Sequence, residues 1–221
     1  MAQIETELQL LKAEAINMWT LVNSQLSKAR LAFLNFDKDL AREVVTKEKR
    51  VNGSELKIDR DCENIFALFC PVAIDLRFLL AVLKINSNLE RIGDIADGIA
   101  KYILDAEAPF TRELLEVTRI LPMYEESVKM LEDTQEAFEK EDTILARSVF
   151  KKDDFLDDIN RHAHKVLERH LKDHPEDTSQ ALWLLSIIRK LERVGDQAKN
   201  VAEEIIFYLE AKVLKHKNKF V

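Results

Sequence analysis

Two pairs of acidic residues have a spacing that is suited to binding a metal ion. Glu90 and Asp94 lie four positions apart, and Glu192 and Asp196 repeat this spacing further along the chain. On a helix, residues four apart share one face, so the two carboxylates of a pair can bind the same hard cation. A chain with 40 acidic residues also contains such pairs by chance, mostly on solvated helix faces. Spacing alone therefore leaves a metal site and a solvated face as alternatives.

Both pairs belong to a longer motif that occurs twice. The sequence Leu-Glu-Arg-(Ile/Val)-Gly-Asp occupies 89–94 and 191–196, and the surrounding segments 79–103 and 181–205 share 11 of 25 residues. Unrelated segments would share one or two, at roughly 6% identity per position. A further match, between 40–44 and 145–149, lies upstream. The chain is therefore predicted to consist of two copies of one unit, at 1–108 and 109–221, joined near Pro109.

The duplication favours the metal interpretation, because both copies offer further oxygen atoms on a neighbouring helix. Glu48 with Asn52, and Asp153 with Asp157, are again spaced by four and occupy nearly matching positions in the two copies. A helical wheel places the acidic residues of the motif on the face opposite the apolar positions. We therefore expect these carboxylates to be surface groups rather than a buried catalytic pair.

Two glycines of the motif indicate a close approach of another group. Gly93 and Gly195 lie inside long predicted helices, where glycine costs about 1 kcal/mol relative to alanine. A close helix crossing would explain them, and so would room for a metal ion or a partner. The sequence leaves both explanations open.

The histidines and cysteines have weaker functional signals. His162, His164, His170 and His174 follow the fifth predicted helix, and the last two are four apart, a spacing that can hold a transition metal. We interpret all four as surface residues. Cys62 and Cys70 lie in an apolar stretch and are predicted to be buried free thiols. No Glu-x-x-His pair is present, which argues against a di-iron bundle of the ferritin type.

Composition predicts the elements that position these residues. Only 4 Gly and 4 Pro occur in 221 residues, while 33% are charged and 47% hydrophobic, which is typical of an all-α protein with long helices. Short connections predict antiparallel neighbours, so each copy should be a three-helix bundle. The fold class is therefore two tandem three-helix bundles, with six long helices predicted at 3–36, 39–69, 72–105, 111–140, 142–171 and 177–217.

Charge and hydropathy exclude several classes of function. The net charge of −7 is spread evenly along the chain, without a basic patch, so no nucleic-acid partner is expected. The longest unbroken apolar run, 65–74, is too short to span a bilayer, and the acidic first residues do not resemble an export signal. We therefore predict a cytoplasmic protein without direct membrane insertion.

The motifs together resemble the PhoU family of bacterial phosphate-uptake regulators, over about 1–217. The resemblance rests on the motif at 89–94 and on Pro-Val-Ala-Ile-Asp-Leu-Arg at 71–77, which opens the third predicted helix. It implies a non-enzymatic cytoplasmic regulator, commonly a homodimer, that represses the phosphate-starvation response. It also implies two partners, the ATPase of the phosphate ABC transporter and a sensor histidine kinase. Segment 173–179 of the second copy departs from 71–77, so its partner surface is expected to differ.

The resemblance also implies a set of metal ligands. Some family members bind iron, zinc or other metals on this acidic surface, and the ion here could be Fe, Zn, Mg, Mn or Ca. Asn52 stands where an aspartate is usual in the family, so the first-copy site is expected to be weaker or empty. The ligands carried over by position are Glu48, Glu90, Asp94, Asp153, Asp157, Glu192 and Asp196.

Two alternatives to a regulator follow from the same residues. One is a metal-dependent enzyme that acts on phosphate compounds at these carboxylates, although an open acidic face offers no general base or cleft. The other is a structural helical protein at a membrane surface, which the net negative charge argues against.

Overall fold

Helices account for nearly all of residues 2–214, the part of the chain that the computed structural model describes. No strand occurs in this range, so the all-α prediction is confirmed. Nor does any helix of the range combine the length and apolar character needed to cross a membrane. The helices are α1 (Ala2–Asn35), α2 (Lys38–Phe69), α3 (Ala73–Asp105), α4 (Arg112–Thr118), α5 (Ile120–Lys140), α6 (Thr143–Asp173) and α7 (Thr178–Glu210), with a 3₁₀ turn at Pro175–Asp177 before α7.

The two copies begin their second long helix in the same way. Asp37 precedes α2 and Asp142 precedes α6, and each carboxylate accepts hydrogen bonds from two backbone N–H groups of the first turn. The preceding residues, Phe36 and Glu141, both adopt left-handed backbone conformations, with φ of 51° and 56°. Such a cap is worth about 1 kcal/mol relative to alanine. The same local signals therefore reverse the chain at equivalent points of the repeat.

The two copies share one core. α1, α2 and α3 pack together, as do α5, α6 and α7, and α3 packs against α7 while α1 packs against α5. Aromatic rings join the copies: the centroids of Trp19 and Phe138 lie 5.2 Å apart, and those of Tyr102 and Trp183 lie 5.0 Å apart. The buried apolar residues of both copies form a single cluster. α3 and α7, the helices that carry the repeated motif, therefore lie side by side.

The predicted fourth helix, 111–140, is divided in two. Arg119 adopts a left-handed conformation with φ of 55°, and its N–H bonds to the carbonyl of Glu116, which ends α4. Pro122 then lies in the first turn of α5, where its missing N–H needs no partner. A helix that continued through Pro122 would lose a hydrogen bond and place the ring against the carbonyl four residues earlier. The proline explains why one helix became two.

Two further expectations are corrected. The last helix ends at Glu210 rather than at 217, because Ala211 adopts a left-handed conformation with φ of 56°. Residues 215–217 of that prediction lie outside the described residues. Cys62 is buried as expected, but Cys70 is exposed. Cys70 follows the last residue of α2 in a left-handed conformation, so it lies at a helix end and not on an apolar helix face.

Candidate functional site

The four predicted ligands of the second copy come together between α6 and α7. We call Asp153, Asp157, Glu192 and Asp196 the second acidic cluster. Burial raises the pKa of Asp153, Glu192 and Asp196, and repulsion from the carboxylate of Asp157 raises each of them further. These mutual effects require the four side chains to be close neighbours. The four residues that the helix spacing paired in the sequence therefore lie in one region of the fold, and their role as metal ligands stays a prediction.

Asp153 differs from the surface group that the sequence predicted. Its side chain is only 1% exposed, and one carboxylate oxygen accepts a hydrogen bond from Lys199 at 2.5 Å. The other oxygen, Oδ1, is buried and accepts no hydrogen bond from the described residues. A buried anionic oxygen without a donor is unfavourable unless a cation lies nearby. The ammonium group of Lys199 thus neutralises one side of the Asp153 carboxylate, and the other side lacks a partner among the described residues.

Gly195 creates the gap in which Asp153 lies. A Cβ atom at Gly195 would lie 2.8 Å from Cδ2 of Leu156 and 3.1 Å from Oδ1 of Asp153. Both distances are shorter than ordinary van der Waals contact, so a larger residue at 195 would have to displace the side chain of Leu156 or of Asp153. Of the two explanations left open by the sequence, the structure supports a close helix crossing, located directly at the acidic cluster.

The predicted ligands of the first copy also come together, with one residue that the sequence analysis missed. We call Glu48, Glu55, Glu90 and Asp94 the first acidic cluster. Burial raises the pKa of Glu90 to about 6, and repulsion from Asp94, Glu55 and Glu48 adds to this shift. Burial, together with repulsion from Asp59 and Asp94, also raises the pKa of Glu55. Glu55 lies seven residues after Glu48, two helical turns along the same face, and this spacing could have identified it.

Asn52 gives the first copy an amide at the position where the second copy has the carboxylate of Asp157. Its Nδ2 donates a hydrogen bond to Oε1 of Glu48, and its own Oδ1 is buried without a donor among residues 2–214. The amide therefore satisfies a carboxylate oxygen that would otherwise be available to a cation. Within residues 2–214, neither acidic cluster brings three ligand atoms to within 4.8 Å of one another. A metal ion at either cluster would need the carboxylates to turn towards it.

A cleft between the two copies adjoins the first cluster. It has a volume of about 550 Å³ and lies where α3 passes α7. Gly98 leaves room for the ammonium group of Lys190, whose pKa is lowered by burial and by the neighbouring charge of Arg193. The polar residues that line the cleft include four basic and two acidic side chains: Arg91, Lys101, Lys190, Arg193, Asp94 and Asp97.

The histidines are only partly the surface residues that we predicted. His162 and His164 are exposed and His174 is half-buried, but the side chain of His170 is only 4% exposed. His170 lies in the last turn of α6, where α4 and the 3₁₀ turn cover it. α4 exists as a separate element because of the break at Arg119, and the sequence analysis did not predict that break.

An all-α protein of two similar halves, each with an acidic cluster on its motif helix, matches one family of regulators in sequence and in structure. A family model described as the PhoU domain matches residues 16–103 and again 120–205. The chain belongs to the PhoU family, as the motifs had suggested.

Individual relatives align with almost the whole chain, in sequence or in structure. The phosphate-specific transport system accessory protein PhoU of Edwardsiella tarda is 33% identical over 214 residues, which cover 97% of this chain and 87% of the relative. Its counterpart in Escherichia coli K12 is 31% identical, with coverage of 97% and 88%. The crystal structure of PhoU from Pseudomonas aeruginosa matches with a TM-score of 0.88 and 30% identity, covering 94% of this chain and 99% of that one. The phosphate transport system regulatory protein PhoU of Streptococcus pneumoniae gives 0.84 at 28% identity, covering 96% and 99%.

Proposed function

We propose that this protein is an accessory protein of a phosphate transport system and restrains the phosphate-starvation response when phosphate is plentiful. The observation that carries the proposal is membership of the PhoU family along nearly the whole chain. The sequence relatives from Edwardsiella tarda and Escherichia coli are both named as accessory proteins of phosphate-specific transport. The matches cover both copies of the repeat, so the regulatory role is proposed for the intact two-copy molecule.

The protein would act as an adaptor in the cytoplasm, as a homodimer that contacts the transporter ATPase and a sensor histidine kinase. An adaptor needs a surface to which partners bind, and the connection between α2 and α3 offers one. Leu68 and Val72 are 73% and 70% exposed, and Ile74 is 52% exposed. Exposed apolar side chains concentrated in one segment are typical of protein interaction sites. This segment includes 71–77, which helped to identify the family.

The corresponding connection of the second copy has a different surface. Residues 173–178 there are Asp-His-Pro-Glu-Asp-Thr, and the exposed large apolar side chain nearby is Leu182. The two ends of the repeat therefore offer an apolar surface and an acidic one. We propose that the apolar surface, at 68–76, is the one that contacts the transporter.

Deletion of the gene, with alkaline phosphatase measured in phosphate-rich medium, tests the regulatory role. We expect high phosphatase output in the deletion strain and repression by a plasmid copy of the wild-type gene. The double variant Leu68→Asp, Val72→Asp should fold but fail to repress. Ile144→Asp is the matched control, because Ile144 is 81% exposed at the start of α6 in the second copy. Unchanged output in the deletion strain would remove the regulatory proposal.

We also propose that the acidic clusters bind divalent or trivalent metal ions. Oxygen-only ligand sets suit hard cations, and both clusters hold four carboxylates whose mutual repulsion a cation would relieve. Asp153, Asp157, Glu192 and Asp196 would hold the ion of the second copy, and its charge would stabilise the ionised form of each carboxylate. Glu48, Glu90 and Asp94 would hold a weaker ion in the first copy, because Asn52 supplies no charge. The ion remains open among Fe, Zn, Mg, Mn and Ca.

Elemental analysis of the purified protein tests the metal proposal. Replacing Asp153, Asp157, Glu192 and Asp196 with asparagine should remove most of the bound metal while the helical content is kept. The matched control replaces Asp39, Glu63, Glu116 and Glu168 with their amides, since these acids are exposed and lie outside both clusters. Equal metal content in the two variants would show that the second acidic cluster holds no metal ion.

The enzyme alternative retains one supporting observation, the basic cleft beside Asp94. Four basic side chains there could attract a phosphate compound towards the first acidic cluster. We prefer the regulator, because the relatives named above are accessory proteins of phosphate transport. Turnover of phosphate esters or polyphosphate that disappears in Asp94→Asn would reverse this preference.

A further inference from the structure

Three side chains of the kind that bind transition metals meet at the end of α6, separately from the acidic clusters. Glu113 comes from α4, His170 from the last turn of α6, and His174 follows the last residue of α6. Oε1 of Glu113 lies 3.9 Å from Nδ1 of His170 and 3.5 Å from Nε2 of His174. Each residue offers one ligand atom, and the three atoms all lie within 4.8 Å of one another. The two imidazole rings stack, with centroids 4.7 Å apart.

The other nitrogen of each ring faces a carboxylate from the 3₁₀ turn. Nε2 of His170 lies 2.8 Å from Oδ2 of Asp177, and Nδ1 of His174 lies 3.4 Å from Oε1 of Glu176. In metal sites, a histidine ligand typically donates its remaining N–H to a carboxylate, which fixes the tautomer and the ring orientation. If Nε2–H of His170 donates a hydrogen bond to Asp177, the ring's lone pair is on Nδ1, which lies 3.9 Å from Oε1 of Glu113. The turn therefore supplies a carboxylate partner for the second nitrogen of each ring, as in metal sites.

Charge balance favours a cation at this place. Three carboxylates surround two histidines, so with neutral rings the group carries three negative charges. The side chain of Asp177 is only 15% exposed, next to that of His170 at 4%, whereas Glu113 and Glu176 are 60% and 70% exposed. One of the three negative charges is therefore withdrawn from water. A divalent cation would offset most of this charge, and water would offset less of it. Protonation of both histidines is the competing way to balance the group, and it would give a network of ion pairs without metal.

We propose that Glu113, His170 and His174 form a binding site for Zn²⁺, with Asp177 and Glu176 holding the two rings. Two imidazoles and one carboxylate are a ligand set that suits zinc, and the fourth tetrahedral position would take water or a group from another molecule. Ligand atoms around tetrahedral zinc are about 3.3 Å apart for bonds of about 2.0 Å. The distances of 3.5 and 3.9 Å from Glu113 are close to this value. Bound zinc would tie the first turn of α4 to the end of α6.

Zinc and cobalt titrations of the metal-free full-length protein test the site. The acidic clusters offer only oxygen ligands, so a tetrahedral Co²⁺ absorption spectrum would report on the histidine site and not on them. We expect one Co²⁺ per chain with this spectrum, displaced by one Zn²⁺ that is held more tightly. His174→Gln should weaken zinc binding at this site at least tenfold, and Asp177→Asn should weaken it about tenfold to a hundredfold.

The matched control is His162→Gln, since His162 is an exposed histidine of the same helix and should leave the titration unchanged. His174 is half-buried, so its replacement is expected to keep the fold, which circular dichroism verifies. The proposal is overturned if the wild-type protein shows no tetrahedral cobalt spectrum. It is overturned equally if His174→Gln binds zinc as tightly as His162→Gln, because the histidines would then form ion pairs only. Both outcomes are independent of the phosphatase assay, so this proposal and the proposed function can fail separately.

Discussion

The two acidic clusters occupy equivalent places in the repeat but balance their charge differently. In the second cluster the ammonium group of Lys199 contacts Asp153, which is 1% exposed. In the first cluster, Glu48 occupies the place of Asp153, and an amide, that of Asn52, contacts it. The residue that matches Lys199 in the first copy is Asp97, which pairs with Lys101 at 2.6 Å. Duplication has thus kept the acidic helix face while exchanging the groups that neutralise it.

The two clusters also differ in how closely their helices cross at the glycine of the motif. A Cβ atom at Gly93 would lie 3.1 Å from Cγ1 of Val51 and would meet apolar atoms only. At Gly195 the same atom would meet both Leu156, at 2.8 Å, and the carboxylate of Asp153, at 3.1 Å. The second crossing is therefore the tighter one, and it encloses a charged group. The comparison indicates that the second cluster is the more buried, and the more dependent on a neutralising cation.

Removing the lysine cation should have the largest effect on stability. Lys199→Met leaves Asp153 buried without its partner, and we expect a loss of about 2–3 kcal/mol, because breaking a buried ion pair is costly even when one member is partly exposed. Lys101→Met in the first copy should cost less than about 1 kcal/mol, since Lys101 is 58% exposed. Urea denaturation of both variants at pH 7 measures the difference. Equal losses would contradict the proposed asymmetry.

Replacing each of the two glycines with alanine tests how tightly the helices pack at the two crossings. Gly195→Ala should destabilise the protein by about 1–2 kcal/mol, since overpacking outweighs the gain in helix propensity. Gly93→Ala should change stability by less than about 1 kcal/mol, because the added methyl group meets one valine side chain. Thermal unfolding followed by circular dichroism ranks the two variants. A larger loss for Gly93→Ala would reverse our ranking of the crossings.

Restoring a carboxylate should make the first cluster more like the second. Asn52→Asp removes the amide that bonds to Glu48 and adds a ligand charge, so divalent metal binding at the first cluster should strengthen about tenfold, or 1.4 kcal/mol. Asn160→Asp is the control, because Asn160 occupies the position on α6 that Glu55 has on α2 and should affect the second cluster only. Calorimetric titration with Mn²⁺ measures both. An unchanged affinity in Asn52→Asp would mean that the first cluster does not bind metal through this face.

The smallest predicted effect is a pH dependence that comes from Glu90. Its pKa is raised from 4.5 to about 6, so the folded protein binds a proton more tightly than the unfolded chain does. The resulting stability is present below pH 4.5 and is lost as the pH rises through about 6. Because Glu90 is only partly buried, we expect a difference of less than about 1 kcal/mol between wild type and Glu90→Gln across this range. Denaturation midpoints of the two proteins should therefore diverge between pH 4.5 and 6.5, and parallel curves would contradict the assignment.

The sequence predicted the fold class and the membership of the clusters because both depend on regular periodicity. A residue four positions along a helix lies on the same face in almost any context, so Glu90 with Asp94 and Asp153 with Asp157 could be paired correctly. Low glycine and proline content predicted helices for the same general reason. Glu55 obeys the same rule two turns after Glu48, but pairing residues four apart does not include it.

Burial was predicted less well, because it depends on contacts between elements. Asp153 was assigned to the surface, yet the crossing at Gly195 encloses it. His170 was assigned to the surface because nothing in its own helix indicates that α4 covers it. The separate α4 ends at Arg119 because Pro122 follows three residues later, whereas the prediction ran one helix over 111–140. A helical wheel drawn for one helix does not contain this information.

The single core that runs through both copies has a consequence for how the molecule folds. Trp19 and Tyr102 of the first copy bury their rings against residues of the second, so neither half has a complete interior of its own. The halves are then not independent modules, and we expect one cooperative unfolding transition by calorimetry rather than two. Cutting the chain within 106–111, between α3 and α4, should leave two fragments that stay associated. Each fragment expressed alone should aggregate, and mixing the two should restore the native circular dichroism spectrum.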